Sequence, residues 1–300
     1  MKNIVLLSCI LTYLFCGTAW GWYPQTFEES LLPQTGYPTL QGFHRTYRAQ
    51  AADTLIEIAR STGLGYLSLH HANPDTDPWL PSDGESILLP YAFLPPDGIQ
   101  PGITINLAEL RLYYVWQEKN RTRVRVYPVG IGTSGWDTPE GDFRITEKIV
   151  HPVWYPPASI RQNNPSLPSR IAAGPDNPLG DYWLGLSAPG YGIHGTSKPY
   201  GVGRRISHGC LRLYPGDIRD LFARVSVGTT VRIIRQPVKA GIKNDQLLVE
   251  VHRSENTAPE TLLQDVLQQI SRLPWQGHLD MEALKKELVL GRGVPTVVSR

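Results

Sequence analysis

The chain has 300 residues, with 29 Lys and Arg against 27 Asp and Glu and a formal net charge of +2. There is no Lys/Arg block, which argues against nucleic acid as a partner, because such partners demand clustered basic charge. Only 19% of residues are charged, while Gly (28) and Pro (26) are abundant, a profile that suits a turn-rich, strand-rich fold more than a helical one.

Lys2 gives a short basic start, Ile4 to Phe15 is almost continuously apolar, and Gly17-Thr18-Ala19-Trp20-Gly21 supplies small residues for cleavage. Residues 1–21 therefore read as a secretory signal peptide, cut near Ala19 or Gly21. The apolar run is too short for a comfortable transmembrane helix of about 20 residues. An uncleaved N-terminal anchor is the alternative, given Trp20, Trp22 and Tyr23 at its edge. A lipoprotein cut fits poorly, since Cys16 follows bulky Phe15 and Cys9 comes too early. Both cysteines leave with the segment, and membrane contact is expected only through it before cleavage. About 280 mature residues are enough for two domains.

Residues 22–43, rich in Pro, Gly, Gln and Thr, read as a leader. Residues 44–90 read as a small module. His44 to Ala49 can be an edge strand, Asp53 a helix N-cap, and Leu55, Ile56, Ile58 and Ala59 one apolar helix face. Leu64, Leu67 and Leu69 begin a second helix that ends at Asn73-Pro74, and Ser86 to Pro90 is a strand. Asp53-Thr54-Leu55, Ile58-Ala59, Ala72-Asn73-Pro74, Gly84 and Ile87-Leu88-Leu89-Pro90 together resemble a LysM domain. That resemblance implies binding of N-acetylglucosamine-containing glycans such as peptidoglycan. A packing domain that has lost glycan binding is the alternative.

Phe93 to Gly102 reads as a Pro/Gly linker. Strands follow at 103–107, 109–116, 122–129 and 141–148 by β-branched content and alternation. Residues 151–190, crowded with Pro, Gly, Asn and Trp, read as a functional loop or lid. Short strands return at 191–194 and 229–234, with a helix at 215–223 between them. The tail carries one more strand at 247–251, helical spacing at 259–273 and 281–290, and no evident chemistry.

Removal of the signal segment leaves one thiol, Cys210, sixteen residues after His194-Gly195. Exported cysteines are normally paired in disulfides, so an unpaired one is either a tolerated small hydrophobe or a nucleophile. Gly, Ser, His and Arg around it favour the nucleophile. A nearby imidazole can take the thiol proton, and both His194 and His208 are available. The backbone N–H groups of Gly209 and Cys210 suit an oxyanion hole. Arg212 offers fixed positive charge for a carboxylate or for holding the loop. A zinc site from His194, His208 and Cys210 lacks Cys-x-x-Cys or His-x-x-x-His spacing and a partner cysteine. No metal or other cofactor is expected.

Gly192-Ile193-His194-Gly195-Thr196, Gly203 and Ile206-Ser207-His208-Gly209-Cys210-Leu211-Arg212-Leu213 resemble the YkuD-type L,D-transpeptidase family. The likeness extends through Asn106 to Tyr114, Thr138-Pro139-Glu140-Gly141 and Gly174-Pro175-Asp176-Asn177-Pro178-Leu179-Gly180. It is greatest for the enterobacterial-type periplasmic branch with an N-terminal LysM-like module. The resemblance implies a Cys210 thioester formed at the L-centre of meso-diaminopimelate in a tetrapeptide stem, with loss of D-Ala. An amine then resolves it, either a lysine of an outer-membrane lipoprotein or a second diaminopimelate. It also implies His194 as base, oriented by the Gly195 carbonyl, with His208 and Ser207 fixing the loop. The expected partners are peptidoglycan stem peptides and glycan, in the periplasm of a Gram-negative-type envelope. L,D-carboxypeptidase action by water, and non-catalytic murein binding, are the competing readings. The expected fold is mostly β with minor α. It comprises the strand-helix-helix-strand module (44–90), a β-sandwich-like catalytic domain (99–235) and a C-terminal α/β extension (236–300).

Overall fold

The computed structural model describes residues 37–119, 121–252 and 258–300. The expected signal peptide 1–21, with Cys9 and Cys16, and most of the leader lie outside the described residues. In the N-terminal module, strand β1 (Arg45–Arg48) pairs antiparallel with β2 (Ser86–Leu89). Helices α1 (Leu55–Thr62) and α2 (Tyr66–Ala72) connect them. Thr54, not Asp53, caps α1, accepting the Glu57 N–H at 3.3 Å. Asp53 turns back instead, taking the Gln50 N–H at 2.8 Å and the Tyr47 hydroxyl at 2.9 Å. That Asx-type bond fixes the turn between β1 and α1.

The next region supplies β3 (Gly102–Asn106), β4 (Arg111–Glu118), β5 (Arg121–Pro128), β6 (Ile131–Gly132), β7 (Gly141–Val150), β8 (Tyr182–Leu186), β9 (Gly192–His194), β10 (Arg205–Ser207), β11 (Leu211–Arg212) and β12 (Thr230–Ile234). Eight of them form one sheet in the order β11-β9-β8-β7-β12-β3-β4-β5, while β6 and β10 pair with each other. β5 runs on through Gly130, whose N–H and C=O both bond Arg212 of β11 at 2.8 Å. The two ends of the sheet therefore meet, and the expected sandwich is a single curled sheet. The segment expected to be wholly irregular, 151–190, contains β8 and a short helix, α3 (Ala158–Asn163).

Strand alternation divides the apolar residues between two faces. Leu112, Tyr127, Leu184, Ile193, Leu211 and Ile233 point inward and form a core with Ile218 and Leu221 of helix α4 (Pro215–Arg224). Asp220 of α4 accepts from Arg125 at 2.5 Å and from the Tyr127 hydroxyl at 2.6 Å, which locks the helix to β5. On the outer face, Tyr113, Val115, Val124 and Val126 pack against Leu55, Ile58, Leu69 and Ile87 of the module. Each such buried side chain contributes roughly 1.5–3 kcal/mol. The module thus covers the β3-β4-β5 half of the outer face and leaves the β11-β9-β8-β7 half open.

A second contact ties the module's interhelix turn to the loop before β10. The Leu67 N–H donates to the Gly203 carbonyl at 3.2 Å, and the Tyr214 hydroxyl donates to the Leu64 carbonyl at 3.0 Å. The Arg204 guanidinium lies over Tyr66. Gly203 has φ +71, and a Cβ there would lie 2.2 Å from the Gly65 Cα. Gly203→Ala is therefore expected to lower stability by about 1–3 kcal/mol, the usual range for overpacking. A urea midpoint unchanged from wild type would contradict this reading.

The C-terminal region forms a three-stranded sheet of β13 (Val238–Lys243), β14 (Gln246–Val251) and β15 (Thr296–Val297), covered by α5 (Pro259–Ile270) and α6 (Met281–Leu290). β13 is not among the expected strands, of which the tail carries one, at 247–251. Its Gly241 breaks a strand pattern, and the structure explains the glycine: a Cβ would meet the Pro38 carbonyl oxygen at 2.6 Å.

This region is joined to the rest through a buried charge network. Arg111 bonds Glu250 at 2.6 Å, and Lys239 reaches Glu109 at 2.7 Å and Glu250 at 3.0 Å. The Tyr113 hydroxyl donates to Glu109 at 2.7 Å, and His252 Nε2 lies 2.8 Å from Glu250. Glu109, Glu250 and His252 are close enough together to share a metal ion. Lys239 and Arg111 already supply the balancing positive charge. The segment expected as a linker is also built in: Phe93 and Leu94 are fully buried. The Leu94 N–H donates to Glu250 at 2.6 Å, and its carbonyl accepts from Lys239 at 2.7 Å. The apolar run Tyr91-Ala92-Phe93-Leu94 outweighs the Pro/Gly signal that follows it.

Candidate active site

The open half of the outer face carries the residues singled out in the sequence. β11 and β9 run parallel, with Arg212 opposite His194 and Leu211 opposite Ile193. Leu211 and Ile193 are in the core, so Arg212 and His194 face outward together. Cys210 precedes Leu211 and opens onto the same side.

His194 is almost fully buried, and its Nδ1 lies 2.6 Å from the Gly195 carbonyl oxygen. A carbonyl only accepts, so Nδ1 carries the proton and Nε2 presents a lone pair. Burial first, then the Arg212 charge, lowers the His194 pKa to about 4, against the carbonyls of Gly195 and Leu179, which raise it. Burial likewise pushes the Cys210 thiol up, while the Gly192 N–H and Arg212 pull it down. The resting pair at neutral pH is thiol and neutral imidazole. The thiol points to the Gly190 carbonyl at 3.6 Å. Among the described residues, no hydrogen bond joins it to an imidazole.

The loop before the thiol is tightly held. The Ser207 hydroxyl donates to the Cys210 carbonyl at 2.6 Å and accepts the Gly209 N–H at 3.1 Å. The Thr138 hydroxyl donates to the Gly209 carbonyl at 2.8 Å and accepts the Gly132 N–H at 3.0 Å. Gly209 has φ +99, and a Cβ would lie 2.6 Å from the Tyr191 ring, so only glycine fits. One expectation is corrected here. The Gly209 N–H, read as an oxyanion donor, is committed to Ser207. Of the expected pair only the Cys210 N–H is left for that task.

His208 is exposed and packs against Trp136 with ring centroids 4.9 Å apart. It makes no hydrogen bond with Cys210. Arg212 is half-buried, and among the described residues no carboxylate pairs with its guanidinium and its Nε has no partner. An unpaired cation beside a thiol suits an incoming carboxylate.

Three further residues shape the site. Trp183 of β8 stands opposite His194, with ring centroids 5.8 Å apart and planes 22° apart. Its Nε1–H donates to Glu147 of β7 at 2.9 Å. Asn177 is fully buried, donates to the Pro152 carbonyl at 2.7 Å and accepts the Leu179 N–H at 2.9 Å. It pins the 151–190 segment beneath His194. The sequence signal for Trp183 was its place in a strand antiparallel to the one ending at His194. It was hidden because that stretch reads as irregular.

Known proteins resemble the chain over the region that carries this site. The profile of the YkuD L,D-transpeptidase catalytic domain matches residues 100–233. The Escherichia coli (strain K12) protein named "Probable L,D-transpeptidase YcfS" is 43% identical over 209 residues, covering 67% of this chain and 65% of that protein. "Probable L,D-transpeptidase ErfK/SrfK" of the same strain is 39% identical over 218 residues, covering 71% and 69%. The chain thus spans slightly less than two thirds of YcfS and slightly more of ErfK/SrfK. With its catalytic-domain match and its relatives at about two-fifths identity, the chain belongs to the YkuD-type L,D-transpeptidase family.

Proposed function

We propose that the protein is a periplasmic L,D-transpeptidase acting on peptidoglycan stem peptides. The observation that carries this is the grouping on one sheet face of Cys210, a tautomer-fixed His194 and Arg212, the thiol free and the guanidinium without a carboxylate among the described residues. His194 Nε2 takes the Cys210 proton, and the thiolate attacks the carbonyl carbon at the L-centre of meso-diaminopimelate. The Cys210 N–H faces the developing oxyanion. Collapse breaks the bond to D-Ala, whose amine takes the proton from His194, and a thioester remains. An acceptor amine then gives His194 its proton, attacks the thioester carbonyl and frees the thiol. The acceptor is a lipoprotein lysine or a second diaminopimelate. Water in its place gives carboxypeptidase action.

Arg212 suits a stem carboxylate. The same face continues into a cleft of about 620 Å³ that includes Asp142, Arg144, Ser187 and Arg232, room for an extended peptide. The 44–90 module is read as a LysM-like glycan binder, and exposed Trp79 between α2 and β2 supports an apolar sugar contact. No helix of the described residues is long and apolar enough to cross a membrane, in keeping with a protein released into the periplasm. The test is intact-protein mass after incubation with a tetrapeptide muropeptide. An adduct of the stem minus D-Ala is expected. Its absence, with no D-Ala released by folded protein, would favour the murein-binding reading.

A further inference from the structure

We propose that Trp183, oriented by Glu147, is a positioning residue for His194, offering its aromatic face to the imidazolium that forms when Cys210 gives up its proton. The inference rests on the assignment of His194 as base. β8 and β9 place Trp183 directly opposite His194, and the two rings stack at 5.8 Å between centroids. The floor beneath the indole is cleared by two glycines. A Cβ on Gly192 would lie 2.4 Å from Trp183 Cη2. A Cβ on Gly185 would lie 2.5 Å from Glu147 Cγ and 3.0 Å from Trp183 Nε1. The indole therefore lies over Gly192. It stacks on the His194 ring.

The Nε1–H of Trp183 donates to the Glu147 carboxylate at 2.9 Å, which draws electron density onto the ring. A neutral imidazole gains little from such a face, whereas a cation gains a full cation–π attraction. The contact therefore strengthens only as the proton moves, which is what a group must do to lower a barrier. The charged neighbour that acts on His194 is Arg212 on β11, which opposes its protonation. The 174–180 loop contributes the Leu179 carbonyl, and α4 contributes apolar Ile218 beside Gly195. Trp183 is thus the side-chain counterweight to Arg212.

The test is the rate of Cys210 alkylation by iodoacetamide as a function of pH, on the mature protein with melting temperature as a control. Wild type should show a limb below the thiol's own titration that His194→Gln removes. Trp183→Leu should slow alkylation on that limb by about threefold to thirtyfold, the range of a cation–π contact, and converge with wild type at high pH. Trp183→Phe should fall between, and Glu147→Gln should slow the same limb by less than Trp183→Leu while the fold stays intact. A Trp183→Leu profile equal to wild type, or slowed equally at every pH, overturns the proposal and leaves the His194 assignment standing. A wild-type limb indifferent to His194→Gln overturns that assignment, and this proposal with it.

Discussion

Cys210→Ala is expected to give no acyl adduct and D-Ala release at least about 10⁴-fold below wild type, the scale on which a covalent catalyst fails without its nucleophile. Cys210 is the free thiol of the described residues, and its neighbours are arranged around it rather than able to replace it. Ser207, the nearest hydroxyl in the chain, is buried and doubly hydrogen-bonded to the loop backbone. His194→Gln should retain a hydrogen bond to the Gly195 carbonyl but cannot take a proton, so it should cost about 10²–10⁴-fold. Intact mass and released D-Ala measure both. Full turnover by Cys210→Ala would end the nucleophile reading, and equal turnover by His194→Gln would return His208 to consideration.

Lys239→Met should destabilise the fold by about 3–5 kcal/mol, the usual cost of removing one partner from a buried ion pair. Lys239 meets both Glu109 and Glu250, and all three side chains are fully enclosed. Its loss strands two carboxylates with Arg111 as their remaining fixed cation. Adding Glu250→Leu should recover part of the loss, because the charge left uncompensated is then removed too. The network also sets an acid limit. Burial pushes the Glu250 carboxyl up, but Lys239, Arg111 and the His252 hydrogen bond outweigh it and hold the group well below the ordinary range. A depressed carboxylate stabilises the fold above its unfolded pKa near 4.3, and that contribution is lost as pH falls toward the folded value. Urea midpoints should therefore drop below about pH 4 in wild type and depend less on acid in the double variant. An unchanged midpoint in Lys239→Met would refute the account.

The legible parts of this fold are those that local pattern determines. Leu55, Ile58 and Ala59 marked the buried face of α1, and alternation about Val124 and Val126 marked β5. The thiol, its two histidines and Arg212 stand out because Cys210 is the one cysteine outside the expected signal segment and directly follows His208-Gly209, two residues before Arg212. The illegible parts depend on what the chain meets elsewhere. Gly241 reads as a strand breaker until the Pro38 carbonyl is seen against it. Gly209 reads as an oxyanion donor until the Ser207 hydroxyl is found two residues away on its N–H. Trp183 reads as one more core aromatic until β8 is set against β9. Glu109 in the turn before β4 and Arg111 at the start of β4 are charges expected to be exposed, and only Lys239 and Glu250, far along the chain, explain why they are not.

The portion of this chain that shares a profile with its family, residues 100–233, is smaller than the portion that is electrically self-sufficient. Cutting at the C-terminal limit severs the network, leaving Glu109 and Arg111 on one fragment and Lys239, Glu250 and His252 on the other, and cutting at the N-terminal limit removes Leu94, whose backbone bonds both Glu250 and Lys239. A recombinant fragment drawn to the boundaries of similarity would expose unmatched charge on both cut faces. Exchange of the C-terminal region between relatives would succeed only where both halves of the charge pattern travel together. The inheritable unit here is set by charge closure across a seam, and sequence likeness alone does not outline it.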